Sequence, residues 1–486
     1  MIPLHILAID QGTTGSAAAV MDARGAVMSK VKREYRQIFP KPGWVEHDPE
    51  DIWSSVLDVV RLALKNAGIT GKALAAIGIT NQRETTVLWE RGTGRPVHNA
   101  IVWQDRRTAD FCGKLKNAGH EKKFREKTGL VLDPYFSGTK IRWLLDRVPK
   151  GNLAFGTVDS FLLWRLTEGR VHATDASNAS RTLLMDLKTL AWDGELCRIL
   201  GVPASVLPEI KPSIGLFGHT KSVPGLPDGI PITGIAGDQQ AALFGQACFE
   251  VGEAKCTFGT GSFLLMNIGP KPVLSRAGCL TTVAWQWRGR TTYALEGSAF
   301  ICGAAVQWLR DGLGVIKKSS EIEALARSVP DAGGVQFVPA LTGLGAPYWN
   351  PEARGVISGL TRGTTKAHLA RATLDAMALQ NVELLLAMQR DVKKRIKSLK
   401  VDGGASVDDL LMQLQADYLG AACVRPKVVE TTSAGAAFMA GLGVGMWNDF
   451  GDIRRVWRRE REFKPTLGAN ARAMRLKRWQ EAVRKA

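Results

Sequence analysis

A chain of 486 residues is too long for one hydrophobic core of ordinary size, so we expect two large domains. Hydrophobic residues make up 45% of the sequence and charged residues 23%, as in globular proteins, and the apolar stretches are too short to span a membrane. The net charge of +18 would suit a nucleic-acid partner, but much of it is concentrated after residue 453, so the charge alone does not identify one.

Seven cysteines are scattered along the chain without the spacing of a zinc site or of a disulfide framework. We therefore expect reduced, mostly structural thiols and a cytoplasmic protein. Residues 1–9 are apolar but lack the basic start and the cleavage site of a secretion signal. They predict a buried first strand instead.

The first patterned segment is a predicted hairpin. Residues 4–9 predict a strand, residues 10–16 form a Gly/Thr-rich turn, and a second strand follows. Glycines let backbone N–H groups approach an anion, and the hydroxyls of Thr13 and Thr14 add donors. The turn differs from a Walker loop because no Gly-Lys-Ser/Thr closes it. Asp10 would meet a magnesium ion at the phosphates, although an ordinary Asp-x-Gly turn is the alternative.

The second half repeats this pattern, with a predicted strand at 254–258, a Gly/Thr turn at 259–262 and a further strand. Two halves built alike indicate a duplicated domain with a cleft between the copies. We place the boundary just after the predicted helix 239–245. The predicted domains are residues 1–246 and 247–486.

A strand predicted to begin at residue 399 breaks on two glycines and leads into a predicted helix at 407–419. Bare backbone at this corner lets a flat ring lie against the chain. Ser406 and Asp409 have the spacing of a capping box, which is a purely structural alternative.

The basic C-terminal segment contains Leu476, Trp479 and Val483 at helical spacing. This spacing predicts a helix docked by one apolar face, with Lys and Arg on its solvated side. Nucleic-acid binding would need a basic face interleaved with several aromatic side chains. Only Trp457 and Trp479 are available there, so we expect no nucleic-acid partner.

Eight motifs in order along the chain resemble the sugar-kinase family of the actin-like ATPase fold, and within it the glycerol kinases. They are DQGTT at 10–14, PGWVE at 42–46, GITNQRETT at 78–86, WQDRRT at 103–108, DPYFS at 133–137, GDQQ at 237–240, FGTG at 258–261 and GLGAPYW at 343–349. The resemblance implies an α/β fold of two duplicated actin-like (ribonuclease H-like) domains with a nucleotide cleft between them. It also implies ATP-dependent phosphorylation of glycerol to sn-glycerol 3-phosphate, with Mg²⁺ as cofactor.

The resemblance assigns a substrate site to residues whose chemistry suits a small triol. Donors and acceptors hold the hydroxyl groups, and aromatic walls exclude water from the carbons. Asp238 would accept the proton of the attacking hydroxyl, although it also has the position of a helix cap. The implied glycerol-binding residues are Arg83, Glu84, Tyr135, Asp238 and Gln239, with Trp103 and Phe263 as the walls.

The nucleotide site is likewise implied by the resemblance. Asp10 would act in catalysis and hold the metal ion. The implied nucleotide-binding residues are Thr13, Thr14, Gly15, Thr260, Gly303, Gln307, Gly404 and Asp408.

Two positions depart from the family's pattern. Ala17 stands where many glycerol kinases carry an arginine, so we expect weaker nucleotide binding unless another Lys or Arg reaches the phosphates. Asp408 stands where members often place an asparagine near the adenine. It would either alter nucleotide preference or simply strengthen the N-terminus of the following helix.

Two other functions stay open from the sequence. The chain could phosphorylate another small polyol or sugar with the same fold, or, less favoured, hydrolyse ATP as an actin-like protein that is not a kinase. A homo-oligomer, either a dimer or a tetramer, is expected.

Overall fold

The computed structural model describes residues 4–149, 151–350 and 352–486. The first half alternates strands and helices, as predicted. Its strands are β1 (His5–Gln11), β2 (Gly15–Asp22), β3 (Val27–Glu34), β4 (Glu46–His47), β5 (Leu74–Asn81), β6 (Val87–Glu90), β7 (Ala100–Ile101), β8 (Leu153–Gly156), β9 (Ala173–Asp175), β10 (Met185–Asp186), β11 (Ala191–Trp192), β12 (Glu209–Lys211), β13 (Ile214–His219) and β14 (Pro231–Gly237). Its helices are α1 (Pro49–Ala67), α2 (Ala109–Asn117), α3 (Glu121–Thr128), α4 (Ser137–Leu145), α5 (Val158–Leu166), α6 (Ala176–Ala179), α7 (Gly194–Leu200) and α8 (Asp238–Gly245).

The second half is built in the same alternating way, with longer helices. Its strands are β15 (Ala254–Phe258), β16 (Ser262–Gly269), β17 (Leu280–Trp287), β18 (Arg290–Ala299), β19 (Gln336–Val338), β20 (Val356–Ser358), β21 (Ser398–Asp402), β22 (Ala422–Pro426) and β23 (Arg459–Phe463). Its helices are α9 (Gly303–Asp311), α10 (Ile322–Arg327), α11 (Lys366–Val392), α12 (Asp409–Leu419), α13 (Thr431–Gly443), α14 (Phe450–Val456) and α15 (Ala469–Val483).

The two main sheets share a core of three antiparallel and two parallel strands. The first has the order β13-β14-β5-β1-β2-β3, with β1 to β3 antiparallel and with β5 and β14 parallel to β1. The second has the order β17-β18-β16-β15-β21-β22-β23, in which β15, β16 and β18 are antiparallel and β21 and β22 run parallel to β15. This repeat agrees with the predicted duplication. The domain boundary near residue 246 stays a proposal.

Each hairpin forms where the sequence predicts it, and the strands extend slightly further. β1 continues through Asp10 and Gln11 because its parallel pairing with β5 reaches Thr80 and Asn81. Asp10 is therefore a strand residue whose side chain is aimed by the sheet.

The predicted helix at 407–419 and its capping box are corrected by the structure. Residues 404–407 form a turn of 3₁₀-helix, and α12 begins only at Asp409. The Ser406 hydroxyl donates to the Gly403 carbonyl oxygen at 2.7 Å instead of capping α12. The side chain of Asp408 caps the helix, accepting from the Leu411 N–H at 2.8 Å, because it alone precedes the first helical turn with extended backbone.

At the interface between the halves, one helix of each half packs against the sheet of the other half. α8 follows the strand β14 but contacts β15, β16 and β17, whereas α13 follows β22 and packs on β1, β5 and β14. The two helices also contact each other along a face of small residues. A Cβ on Gly435 of α13 would lie 1.8 Å from the Ala241 carbonyl oxygen of α8, and one on Gly245 would lie 2.0 Å from the Thr431 carbonyl oxygen. Only glycine permits this backbone contact.

The C-terminal helix confirms its predicted mode of docking. In α15, Trp479 and Val483 are buried and Leu476 packs beside them, while the basic side chains lie mainly outside. None of the helices in the described residues is long and apolar enough to span a bilayer. All seven cysteines are buried with free thiols.

We expect Gly435→Ala to lower the thermal unfolding midpoint, because the added methyl group must push α13 away from α8. Overpacking of this kind costs about 1–3 kcal/mol. Gly113→Ala in α2 is the matched control, since its Cβ would meet open space. Helix propensity alone favours alanine at both positions, so an unchanged or raised midpoint for Gly435→Ala would contradict the packing argument.

Candidate active site

The first turn, between β1 and β2, is closed by glycines. The Gly12 N–H donates to the Gly15 carbonyl oxygen at 2.9 Å, and a Cβ on Gly15 would lie 2.4 Å from the Arg33 carbonyl oxygen. The Tyr35 hydroxyl donates to the Gly12 carbonyl oxygen at 2.6 Å and braces the turn. Thr14 is exposed at the tip. The turn thus presents backbone and hydroxyl donors of the kind that bind phosphate.

The second turn, between β15 and β16, has the same construction. The Gly259 N–H donates to the Gly261 carbonyl oxygen at 2.9 Å, and Thr260 is exposed. The Gly303 N–H, at the start of α9, donates to the Gly259 carbonyl oxygen at 2.9 Å. Helix α9 therefore begins on the turn, with the positive end of its dipole directed at Thr260. Gln307 is exposed one helical turn further along.

The end of β21 also reaches the second turn. Gly403 has a φ of +87°, and a Cβ there would lie 2.7 Å from the Phe258 carbonyl oxygen. Gly404 is exposed, with open space where its Cβ would be. This corner offers the bare backbone surface that the sequence predicts for a flat ring. The side chain of Asp408 caps α12, and burial raises the pKa of its carboxyl to about 6. The contact of Asp408 with a nucleotide stays a prediction.

A buried ionic cluster lies between the two halves. The Arg83 guanidinium donates to both carboxylate oxygens of Glu296, at 2.5 and 2.9 Å. Arg181 donates to Glu296 at 3.0 Å and to Glu84 at 2.6 Å. All four side chains are at most 2% exposed. Because Glu296 belongs to β18 of the second half, this cluster joins the halves directly beneath the site.

The charges of the cluster are set by its geometry. Burial opposes ionisation of Glu296, yet the charges of Arg181 and Arg83 lower its pKa to about 2. Burial raises the pKa of Glu84, and the negative charge of Glu296 adds to this rise, although the charges of Arg83 and Arg181 oppose it. Glu84 has a left-handed backbone, with φ 59°, and its carbonyl oxygen accepts from the Ser137 hydroxyl at 3.0 Å. Such strain persists only where the surroundings hold it.

Asp238 lies at the open side of the cluster. Its side chain is 29% exposed, and its Oδ1 lies 3.2 Å from the Arg83 Nε and accepts from the Gln239 N–H at 2.7 Å. Helix α8 begins at Asp238 itself, with Gly237 at the cap position. The carboxylate is thus not a helix cap and can reach a ligand. The buried ammonium of Lys255 donates to the Gln239 side chain from β15, so the second half also orients this amide.

Three aromatic side chains pack together beside the ionic cluster. Trp103 lies edge-on to Tyr135, with ring centroids 5.6 Å apart, and to Phe263 at 6.2 Å. The Tyr135 hydroxyl accepts from Arg83 at 3.3 Å. The Trp103 indole N–H donates to the Thr13 hydroxyl at 2.9 Å. The wall therefore connects the polar cluster to the first turn.

Asp10 offers oxygen ligands of the type that Mg²⁺ prefers. Its Oδ2 accepts from the Ser433 hydroxyl of α13 at 3.0 Å. Burial, together with the nearby Asp238 charge, raises the pKa of Asp10 to about 6 in spite of that hydrogen bond. A cation would relieve this excess of negative charge, so the side chain fits a metal held mostly by phosphates and water. The described residues contain no cluster of three or more His, Cys, Asp or Glu side chains arranged for a metal ion.

The predicted site residues thus fall into three groups, and the residues within each group lie close together. The acceptor residues meet around Arg83 and Asp238, the first turn adjoins them through Trp103, and the second turn gathers Thr260, Gly303 and Gly404. Asp408 stands apart from these groups at the start of α12.

Comparison with known proteins identifies the family. The N-terminal domain of the FGGY family of carbohydrate kinases matches residues 5–245, and its C-terminal domain matches residues 254–444. The chain belongs to the FGGY family of carbohydrate kinases. A glycerol kinase from Bdellovibrio bacteriovorus is 60% identical over 98% of each chain. One from Myxococcus xanthus is 57% identical over 99% of each.

A solved structure of similar shape is the Plasmodium falciparum glycerol kinase with ADP. It matches this FGGY kinase with a TM-score of 0.93 and 37% identity, over 99% of this chain and 98% of that one. The predicted family and the fold of two duplicated actin-like domains are confirmed.

Several residues of the FGGY kinase's site escape sequence reasoning. Arg181, Glu296 and Lys255 lie within hydrogen-bonding distance of the predicted acceptor residues. Their local sequences carry no motif that separates them from surface charges. Only their burial between the two sheets shows that they hold the site together.

We expect Glu296→Gln to destabilise the kinase by about 3–5 kcal/mol, because it leaves Arg83 and Arg181 buried without their shared carboxylate. Activity should fall with it, since Arg83 loses its bidentate partner. Thermal unfolding and a kinase assay check both effects. Glu481→Gln on the exposed face of α15 is the control, and a stable, active Glu296→Gln enzyme would contradict the role of the cluster.

The comparison of wild type with Glu296→Gln also gives a prediction about pH. The folded-state pKa of Glu296 is about 2, below its ordinary value of 4.5. Its contribution to the free energy of unfolding is therefore complete above pH 4.5 and is lost as the pH falls towards 2. The stability gap between wild type and Glu296→Gln should therefore be constant in the neutral range and shrink only in acid. Unfolding curves at a series of pH values measure it, and a gap that shrinks between pH 8 and 6 would exclude this origin.

Proposed function

We propose that this FGGY kinase transfers the γ-phosphoryl group of ATP to glycerol, giving sn-glycerol 3-phosphate. The observation that carries the proposal is the convergence of Asp238, Arg83 and Gln239 beside an aromatic wall, next to a phosphate-type turn. The name glycerol kinase, borne by relatives that are 54–60% identical over nearly their whole length, supports the same acceptor.

The acceptor site contains a cation that is already fixed by the protein. Arg83 is held in place by Glu296 and Tyr135, so its position does not depend on the ligand. Glycerol hydroxyl groups would be bound by Asp238, Gln239 and the Arg83–Glu84 pair, with the carbons against Trp103 and Phe263. A site with this many fixed polar groups discriminates strongly against analogues that leave them unpaired.

Asp238 has the geometry of the proton acceptor. Its carboxylate is accessible, fixed by Arg83, and adjacent to the cavity. Phosphoryl transfer proceeds through a loose transition state, so a carboxylate that orients the alcohol and takes its proton late is sufficient. Asp10 would hold Mg²⁺, which when bound neutralises charge on the phosphate oxygens.

The nucleotide would lie across the cleft, with its phosphates between the two turns and its base near Gly404. Acceptor residues belong mostly to the first half, and Thr260, Gly303 and Gly404 belong to the second. Domain closure would then bring the two substrates together and exclude water as a competing acceptor.

The cellular setting is part of the proposal. Seven buried free thiols fit a reducing cytoplasm. We also predict a homo-oligomer, either a dimer or a tetramer. Sedimentation or light scattering would measure its size.

The test is an ADP-release assay with MgATP and a panel of polyols and sugars. We expect turnover that depends on glycerol. Asp238→Asn should lower kcat by about 10²–10⁴-fold, because it removes the proton acceptor while preserving shape, with little change in the KM for MgATP. Asp110→Asn, exposed on α2, is the matched control. ATP consumption that is indifferent to glycerol, or a clear preference for another acceptor, would overturn the assignment.

A further inference from the structure

One lysine, Lys32, has a defined position in the sheet beside the first turn. In the sheet register, Asp10 of β1 is paired with Ala17 of β2, and Ala17 is paired with Lys32 of β3. Side chains of directly paired residues project from the same face of a sheet. Lys32 therefore shares the face of Asp10, with only the small methyl group of Ala17 between them.

That face is turned towards the second half, because α13 packs on it. The next row along the same face ends at Lys30, which forms an ion pair with Glu430 at the start of α13. Asp10 itself bonds to Ser433 of α13. The opposite face of the sheet is covered by α1, where Val31 packs in the core and Arg33 pairs with Asp58.

Lys32 differs from its neighbours in having no anionic partner. Lys30 and Arg33 each have a carboxylate, whereas Lys32 is exposed and makes no ion pair among the residues that the structure describes. Neighbouring strands are about 4.8 Å apart, so its Cα lies about 10 Å from that of Asp10. Four methylene groups let its ammonium cover much of this distance above Ala17.

We propose that Lys32 is a further phosphate-binding residue of the active site, which binds the polyphosphate chain of the nucleotide at the first turn. The inference rests on the proposed kinase function, because it needs a triphosphate at that turn. The first turn itself supplies neutral backbone and hydroxyl donors, and Arg83 is already paired with Glu296. Lys32 supplies an additional positive charge at this end of the site. The effect of Lys30 and Lys32 on Asp10, whose pKa they lower against burial, is consistent with this placement.

The experiment measures MgADP and MgATP binding by calorimetry without any acceptor, so that it does not depend on the identity of the acceptor. We expect Lys32→Gln to bind either nucleotide about five- to tenfold more weakly, because one charge-assisted contact is lost. Lys32→Glu should be weaker still, and Lys32→Arg should retain most of the affinity. In the kinase assay, the KM for MgATP should rise while the KM for glycerol stays the same.

Arg33→Gln is the matched control, since it removes the same charge from the adjacent residue on the opposite face. Wild-type affinity in Lys32→Gln, or an equal loss in Lys32→Gln and Arg33→Gln, would overturn the proposal. Failure of the glycerol assignment would show differently, as nucleotide binding that depends on Lys32 in a protein that does not phosphorylate glycerol.

Discussion

The bidentate contact between Arg83 and Glu296 is the interaction on which the site depends. It joins the loop after β5 to strand β18, and thereby joins the two halves beneath the acceptor cavity. A bidentate contact holds the guanidinium and the carboxylate close to one plane, so the contact fixes orientation as well as distance. Arg181 completes the charge balance by bridging Glu296 to Glu84. The position of Asp238 follows, because the Nε of the same Arg83 holds it.

The rest of the interface is a close contact between two helices. α8 and α13 meet backbone to backbone through Gly245 and Gly435, and their apolar side chains pack in one cluster. Each helix is packed against the sheet of the opposite half. Asp10 and Ser433 face each other across this same interface, so a residue of the second half orients the carboxylate that would hold the metal ion.

Much of the fold is readable from local pattern. Both Gly/Thr hairpins occur where predicted, because a tight turn needs glycine at particular positions and the flanking strands are short, largely apolar runs that are buried. The docked C-terminal helix is equally local, since spacing alone defines its apolar face. The error at 404–409 arose because Ser406 and Asp408 are both good caps. In the folded protein Gly403 packs against Phe258, and Asp408 rather than Ser406 caps the helix.

The sequence by itself determined the family and the duplicated α/β fold, and it predicted the residues of the acceptor site, because these depend on motifs that are contiguous in the chain. Only the tertiary structure decided how those residues are held. Glu296 is 213 positions from Arg83, and the orientation of Lys32 towards the second half follows from strand register rather than from its neighbours in sequence. Contacts between distant residues form only when the sheets pack, and a single sequence does not record which buried charges will meet there.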